Sequence, residues 1–224
     1  MKLRLVLGLA AVVAGAVAVA SAATDGTASI KFSTKASHAP TALTVNGTFA
    51  PGADGQQRIL NVITLVLPTG TKLNGKAVAL CPGDGGTAAD DPGGAEHACP
   101  PGSKVGSGTA HVLLGDADTT FDITAWNQAT GPMLQLSVNG TPAYTTDAEI
   151  KGNRIVYALP LADQIQAKTK SFMVMFDKVG TKAKPYLRTP SSCPKGRWKG
   201  GLEANISGGG TISLPASTAC KKTH

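Results

Sequence analysis

RWKGGLEANI-SGGG-TISLPAS, residues 197–217, is the stretch that decides the fold. Two strand-like runs, Arg197–Ile206 and Thr211–Ser217, flank the tetrapeptide Ser207-Gly208-Gly209-Gly210. A glycine-rich break of this length between two such runs is a hairpin signal. A hairpin folded there carries Cys193, which precedes the first run, toward Cys220, which follows the second. The expected unit is a C-terminal hairpin closed by a disulfide.

The same period-2 habit extends back along the chain. In Ala28-Ser29-Ile30-Lys31-Phe32-Ser33 the apolar residues share one face, and Leu43, Val45, Gly47 and Phe49 continue the pattern. Thr120–Ala125, Leu134–Val138 and Arg154–Leu159 alternate likewise. Such alternation marks strands with one wet face. Ile59–Leu67 is almost continuously apolar and reads as a central strand buried on both sides, closed by Pro68-Thr69-Gly70. Phe172–Phe176 is a second continuous apolar stretch, and its Met173 and Met175 read as gap-fillers rather than a redox or copper site. Asn46-Gly47, Pro51-Gly52, Asp54-Gly55, Asn74-Gly75, Asn139-Gly140 and Gly152-Asn153 read as turns. Helix is expected only as one or two turns in Leu161–Lys170 and another, broken by Pro92-Gly93-Gly94, in Ala88–Ala98. With 27 Gly, 14 Pro and 4% aromatics, the composition is turn-rich and argues against a helical bundle. The expected fold is all-β: an antiparallel β-sandwich, immunoglobulin-like or jelly-roll-like.

Lys2 and Arg4 precede an uncharged run from Leu5 to Ala20, and Ala20-Ser21-Ala22 supplies small residues at its exit. This is the pattern of a secretory signal peptide, assigned to residues 1–22, leaving residues 23–224 as one β-sandwich domain. No later segment is long and apolar enough to span a bilayer. Cys81, Cys99, Cys193 and Cys220 are an even set in an exported chain, which reads as disulfides. Of three possible pairings, Cys81–Cys99 and Cys193–Cys220 are favoured because each pair brackets one Gly-rich segment. A zinc site would need closely spaced ligand pairs, which are absent.

Cys81, the run Cys99–Ala110, the run Pro185–Pro194 with Lys195-Gly196-Arg197-Trp198, and Cys220 carry a resemblance. They resemble a group of secreted proteins of high-GC Gram-positive bacteria. That group shares a CPxGSxVGxGTA segment and a C-terminal hairpin that opens on a TPxxCP run and ends in Cys. The likeness covers residues 58–220. It implies an exported β-sandwich and carries with it no activity and no functional residue.

Charge is unevenly spread over a chain of net +7. Acidic residues outnumber basic ones over residues 23–167, whereas residues 168–224 hold eleven basic and two acidic residues. The densest basic stretch is Lys178, Lys182, Lys184, Arg188, Lys195, Arg197 and Lys199. An exported cationic surface is drawn to an anionic cell-envelope polymer, and the attraction fades with salt. A Lys-rich solvated surface is the plain alternative. Only Tyr186 and Trp198 lie among these charges, so no nucleic-acid partner is expected.

Other chemistry finds little footing. There is no G-x-S-x-G elbow, and nothing in the sequence brings His38, His97, His111 or His224 to a serine. Gly102–Thr109 is superficially similar to a phosphate loop, but Lys104 comes too early for that order. It reads as a Gly-rich lead into a strand. Asp84, Asp90, Asp91, Glu96 and His97 lack calcium-loop spacing and read as a solvated acidic loop. Among the aromatics, Tyr157 is expected in the core, Trp198 beside the terminal hairpin and Trp126 on the outer face. No catalytic, cofactor-binding or metal residue is assigned. The expectation is a secreted, non-enzymatic interaction or structural module of the envelope. Its rivals are a secreted hydrolase with a dispersed site and a carbohydrate-binding module.

Overall fold

The computed structural model describes residues 25–82, 99–159 and 162–222. The expected signal peptide, the acidic cluster Asp84–His97, the short helix at Ala88–Ala98 and His224 lie outside the described residues. The described strands are β1 (Gly26–Phe32), β2 (Leu43–Phe49), β3 (Leu60–Val66), β4 (Lys72–Leu73), β5 (Lys104–Leu114), β6 (Ala117–Asn127) and β7 (Pro132–Val138). They continue as β8 (Thr141–Thr146), β9 (Ala148–Lys151), β10 (Arg154–Ala158), β11 (Ala167–Phe176), β12 (Leu187–Arg188), β13 (Arg197–Ile206) and β14 (Thr211–Ala219).

These strands build two antiparallel sheets that pack face to face. One has seven strands in the order β1-β2-β11-β5-β6-β7-β8, the other five in the order β14-β13-β3-β10-β9. A two-stranded ribbon, β4 with β12, stands apart. The inward sets interlock in one core: Ile30, Phe32, Val45, Phe49, Phe172, Val174 and Phe176 from the larger sheet meet Leu65, Ile155, Tyr157, Leu202, Ile212 and Leu214 from the smaller. Only Asp147 separates β8 from β9, so the chain itself crosses between sheets along one side. Along the other side β1 lies against β14. The terminal hairpin forms as expected, with Arg197 opposite Ala219 and Asn205 opposite Thr211. Both favoured disulfides are present, Cys81–Cys99 and Cys193–Cys220.

Four local expectations are corrected. Ile59–Leu67 is not buried on both sides: Leu65 and Leu67 face the core, while Val62 and Val66 are half-buried on the outer face. An ion pair between Arg154 and Glu203 crosses over β3 there, and Thr64 beneath it is buried. In Phe172–Phe176, the gap-filler reading fails. Phe172, Val174 and Phe176 point inward, and Met173 and Met175 sit on the outer face, 37% and 38% exposed. Strict alternation was hidden because the outward positions happen to be Met. Asn46-Gly47 is no turn but the middle of β2, where a Cβ on Gly47 would come within 2.5 Å of Leu202 Cδ1. Of the stretch Leu161–Lys170, in which Leu161 lies outside the described residues, residues 162–166 form turns and the chain then enters β11, because the edge of β5 offers its backbone a ladder.

The Gly102–Thr109 run does lead into a strand, β5. Its glycine spacing has a steric cause. A Cβ on Gly106 would lie 2.2 Å from the Met175 carbonyl oxygen, and one on Gly108 2.0 Å from that of Met173. The two strands approach too closely there for any side chain. Gly108→Ala is therefore expected to cost about 2–3 kcal/mol, lowering Tm by roughly 4–12 °C. Gly115→Ala, in open space at a positive φ of 60°, is expected to cost about 1 kcal/mol. Thermal unfolding of the two variants checks the contrast.

Tyr157 and Tyr186 are fully sequestered. Burial pushes both phenols well above the ordinary tyrosine value, and for Tyr157 the neighbouring Tyr186 acts in the same direction. Below pH ~10 both states carry neutral phenols; above it only the unfolded chain ionises, so stability is lost as pH rises. The expected result is that these two tyrosines ionise only with cooperative alkaline unfolding. Tyrosinate absorbance and circular dichroism, followed together, should show one coincident transition for them.

Candidate functional site

The end of the sandwich where β1, β6, β11 and β14 finish, and β5 and β13 begin, gathers most of the basic side chains. Both disulfides are there. Cys81 N–H donates to the Asn127 carbonyl at 2.7 Å, at the exit of β6. Cys220 follows β14, and Trp198 of β13 packs edge-on against Phe32 of β1 with ring centroids 5.2 Å apart.

Lys178, Lys182 and Lys184 lie in the turn between β11 and β12 and are all exposed. The turn is tightly built. Tyr186 N–H donates to the Val179 carbonyl at 2.9 Å, Thr181 N–H to the Lys184 carbonyl at 3.1 Å, and Lys184 N–H to Thr181 Oγ1 at 3.0 Å. Arg188 is half-buried and serves a different purpose. Its guanidinium donates to the His38 carbonyl at 2.9 Å and to the Lys182 and Ala183 carbonyls at 3.4 Å each. It clamps the lysine turn to the loop 33–42, which a planar fork does better than an ammonium.

Pairing brings in two lysines that the sequence reading missed. In the β4–β12 ribbon Leu187 is opposite Leu73 and Arg188 opposite Lys72. Asn74 N–H donates to the Tyr186 carbonyl at 2.8 Å, which seats the segment holding Lys76 beside the turn. Lys72 and Lys76 lie about a hundred residues upstream, and only a two-residue ladder, too short to show as a pattern, betrays the contact.

Lys195, Arg197 and Lys199 form a second group around Cys193–Cys220. Arg197 donates through Nε and Nη2 to Ser217 Oγ at 3.0 and 2.9 Å. Lys35 and Lys221 join them, with Lys221 N–H donating to the Lys35 carbonyl at 2.6 Å. The seven basic residues read from the sequence are thus brought to one end but divided in two, with loop 33–42 between the groups. Among the described residues the ion pairs are Arg58–Asp25, Lys151–Glu149, Arg154–Glu203 and Lys170–Asp118, and none involves these lysines. Asp25, Asp54, Asp116, Asp118 and Asp163 lie at the opposite end, so the charge asymmetry along the sequence becomes a polarity along the molecule.

A cleft of about 240 Å³ opens beside the lysine turn, lined by Pro40, Lys178, Val179, Gly180, Thr181, Lys182 and Pro185. The opposite end carries a wide, open depression bordered by Asp25, Asp54, Arg58 and Lys168. His111 Nδ1 is 3.1 Å from Thr120 Oγ1 on the outer face of the larger sheet. His38, at a φ of 55°, sits in loop 33–42. Among the described residues, no group of three or more His, Cys, Asp or Glu is placed to hold a metal ion. Trp198, Tyr157 and Tyr186 are buried and present no stacking face, while Trp126 is half-buried on the outer face with Nε1 donating to Gln135 Oε1 at 3.2 Å. No helix among the described residues is long and apolar enough to cross a membrane.

No family model, curated protein or solved structure matches this chain.

The division of labour between brace and free lysines is testable. Arg188→Gln removes hydrogen bonds to three carbonyls, an expected loss of about 1–2 kcal/mol and a Tm fall of roughly 2–8 °C. Lys182→Gln is expected to change stability by less than about 0.5 kcal/mol. Denaturant titration of both variants gives the comparison.

Proposed function

We propose that the chain is an exported, non-enzymatic module that binds an anionic polymer of the cell envelope through the basic end of the sandwich. One observation carries this reading. Lys72 and Lys76 are drawn from a distant segment onto the same braced turn as Lys178, Lys182 and Lys184, with no ion pair to a described carboxylate. Collecting like charges is unfavourable, and Lys72 directly opposite Arg188 is a destabilising ladder pair. A fold that keeps the arrangement gains from it when a polyanion supplies the missing countercharge. Two groups separated by a loop suit an extended chain of anionic units better than a single small anion, because each unit adds a tethered contact. The paired disulfides fit an oxidising compartment, in keeping with export.

The experiment is retention of purified mature protein on isolated cell envelopes across a salt series. Retention is expected at low salt and should fall as the Debye length shrinks from about 10 Å at 0.1 M to about 3 Å at 1 M. The variant Lys178→Gln, Lys182→Gln, Lys184→Gln should lose most of it, and Lys168→Gln, Lys170→Gln, altered toward the other end, should retain it. No retention at any salt, or equal retention of the triple variant, would sink the reading.

A further inference from the structure

We propose that the cleft beside the lysine turn seats one tetrahedral oxyanion, a phosphodiester unit of the bound polymer, through Lys178, Lys182, the Thr181 hydroxyl and the Gly180 N–H. This rests on the polymer reading and adds to it the chemistry of the charged unit.

The cleft holds about 240 Å³. That is below the roughly 300 Å³ at which pockets for whole drug-sized ligands begin, so it suits one unit rather than a length of chain. Its walls are the lysine turn on one side and Pro40 of loop 33–42 on the other. Arg188 ties the two together, donating to the His38 carbonyl in the loop and to the Lys182 and Ala183 carbonyls in the turn. Thr41 N–H, next to Pro40, donates to the Leu187 carbonyl at 3.1 Å and tightens the same joint. The cleft is therefore built before a ligand arrives, which spares an ordering cost on binding.

Its polar side chains are donors. Lys178 and Lys182 are exposed and enter no ion pair with a described carboxylate. Asp177 is next to Lys178 in the chain but is not among the lining residues. Thr181 Oγ1 already accepts the Lys184 N–H at 3.0 Å, so its own proton is left to donate, and no described group takes it. Gly180 and Pro185 form a bridge bracketed by the hydrogen bonds from Tyr186 to Val179 and from Thr181 to Lys184. The central residues of such a pair turn their own N–H and C=O groups away from each other. The Gly180 N–H accordingly has no acceptor among the described residues. Pro40, Val179 and Pro185 supply apolar walls, which focus the field of the lysines in the cleft.

This donor set selects among anions. A planar carboxylate is best met by the fork of an arginine, but the fork of Arg188 is occupied by carbonyls of the fold. Ammonium, hydroxyl and backbone N–H are groups that take phosphate oxygens, each from its own direction.

The test compares two probes of equal single negative charge, glycerophosphoglycerol and gluconate. Each is titrated at the same ionic strength into the isotope-labelled mature protein while amide resonances are followed. The diester is expected to shift the Gly180, Thr181 and Lys182 amides. It should bind at least about tenfold more tightly than gluconate, the size of one hydrogen bond to a charged group. Thr181→Val should erase that preference, and Thr181→Ser, which keeps the hydroxyl, should retain it. Lys178→Gln, Lys182→Gln should abolish binding of both probes in the cleft at unchanged Tm. Equal affinity for the two probes, or shifts confined to residues outside the cleft, would overturn the seat, while envelope retention of the same preparation would keep the polymer reading. Preferential diester binding in the cleft of a protein that envelopes do not retain would uphold the seat for a free phosphodiester and sink the polymer reading.

Discussion

The lysine turn of the basic end depends on the close approach of β11 to β5. β11 comes late in the chain, yet it lies between β2 and β5, and it is the sole strand that joins the first hairpin to the rest of its sheet. Gly106 and Gly108 set that contact, since the Met175 and Met173 carbonyls occupy the space a Cβ would take. With β11 seated there, Phe172, Val174 and Phe176 face the core and the intervening methionines must face outward. The exit at Phe176 then delivers the lysine turn to the end where β4 waits. A shift of one residue in register would turn every one of these side chains to the other face.

What the sequence made legible was local. The terminal hairpin and its disulfide could be read because the strands, the glycine break and both cysteines lie within thirty residues. Alternating strands such as Thr120–Ala125 were readable for the same reason. Misreadings came where tertiary contacts outweighed local preference. Asn46-Gly47 is a strong turn dipeptide, yet two flanking ladders hold it extended, and the glycine is needed for the approach of Leu202 and Phe172. Met173 and Met175 were misassigned because hydrophobicity alone does not say which face a residue takes. Lys72 and Lys76 were missed because a site assembled across a hundred residues leaves no trace in spacing.

The basic end also shows why a list of cations is not a site. Arg188 and Arg197 are as positive as any lysine, yet their guanidinium groups are spent on carbonyl and hydroxyl oxygens of the fold. The lysines of the turn carry no comparable side-chain bond to a described residue. Their turn is held by three hydrogen bonds, from Tyr186, Thr181 and Lys184 N–H, and by the Arg188 fork, so the charges are presented from a fixed support. A polyanion meeting them loses less ordering entropy than it would against a flexible tail. The structural arginine thus acts on the surface through the position of its neighbours.

The lysine turn depends on β11 through position alone. Phe176, the last residue of β11, lies opposite Gly106, and Asp177 N–H donates to the Val105 carbonyl at 2.7 Å, so the turn starts where the β5 glycines fix the strand. A displacement of β11 from β5 at Gly106 and Gly108 would carry the turn away from β4 without touching a single charge. Substitution of the lysines does the reverse, removing charge and leaving the strand in place. Screening acts only on the second of these, because salt weakens the attraction between exposed charges and leaves backbone contacts as they are. Loss of retention with an unchanged Tm is therefore the mark of missing charge, and loss of retention with a lowered Tm the mark of a displaced strand.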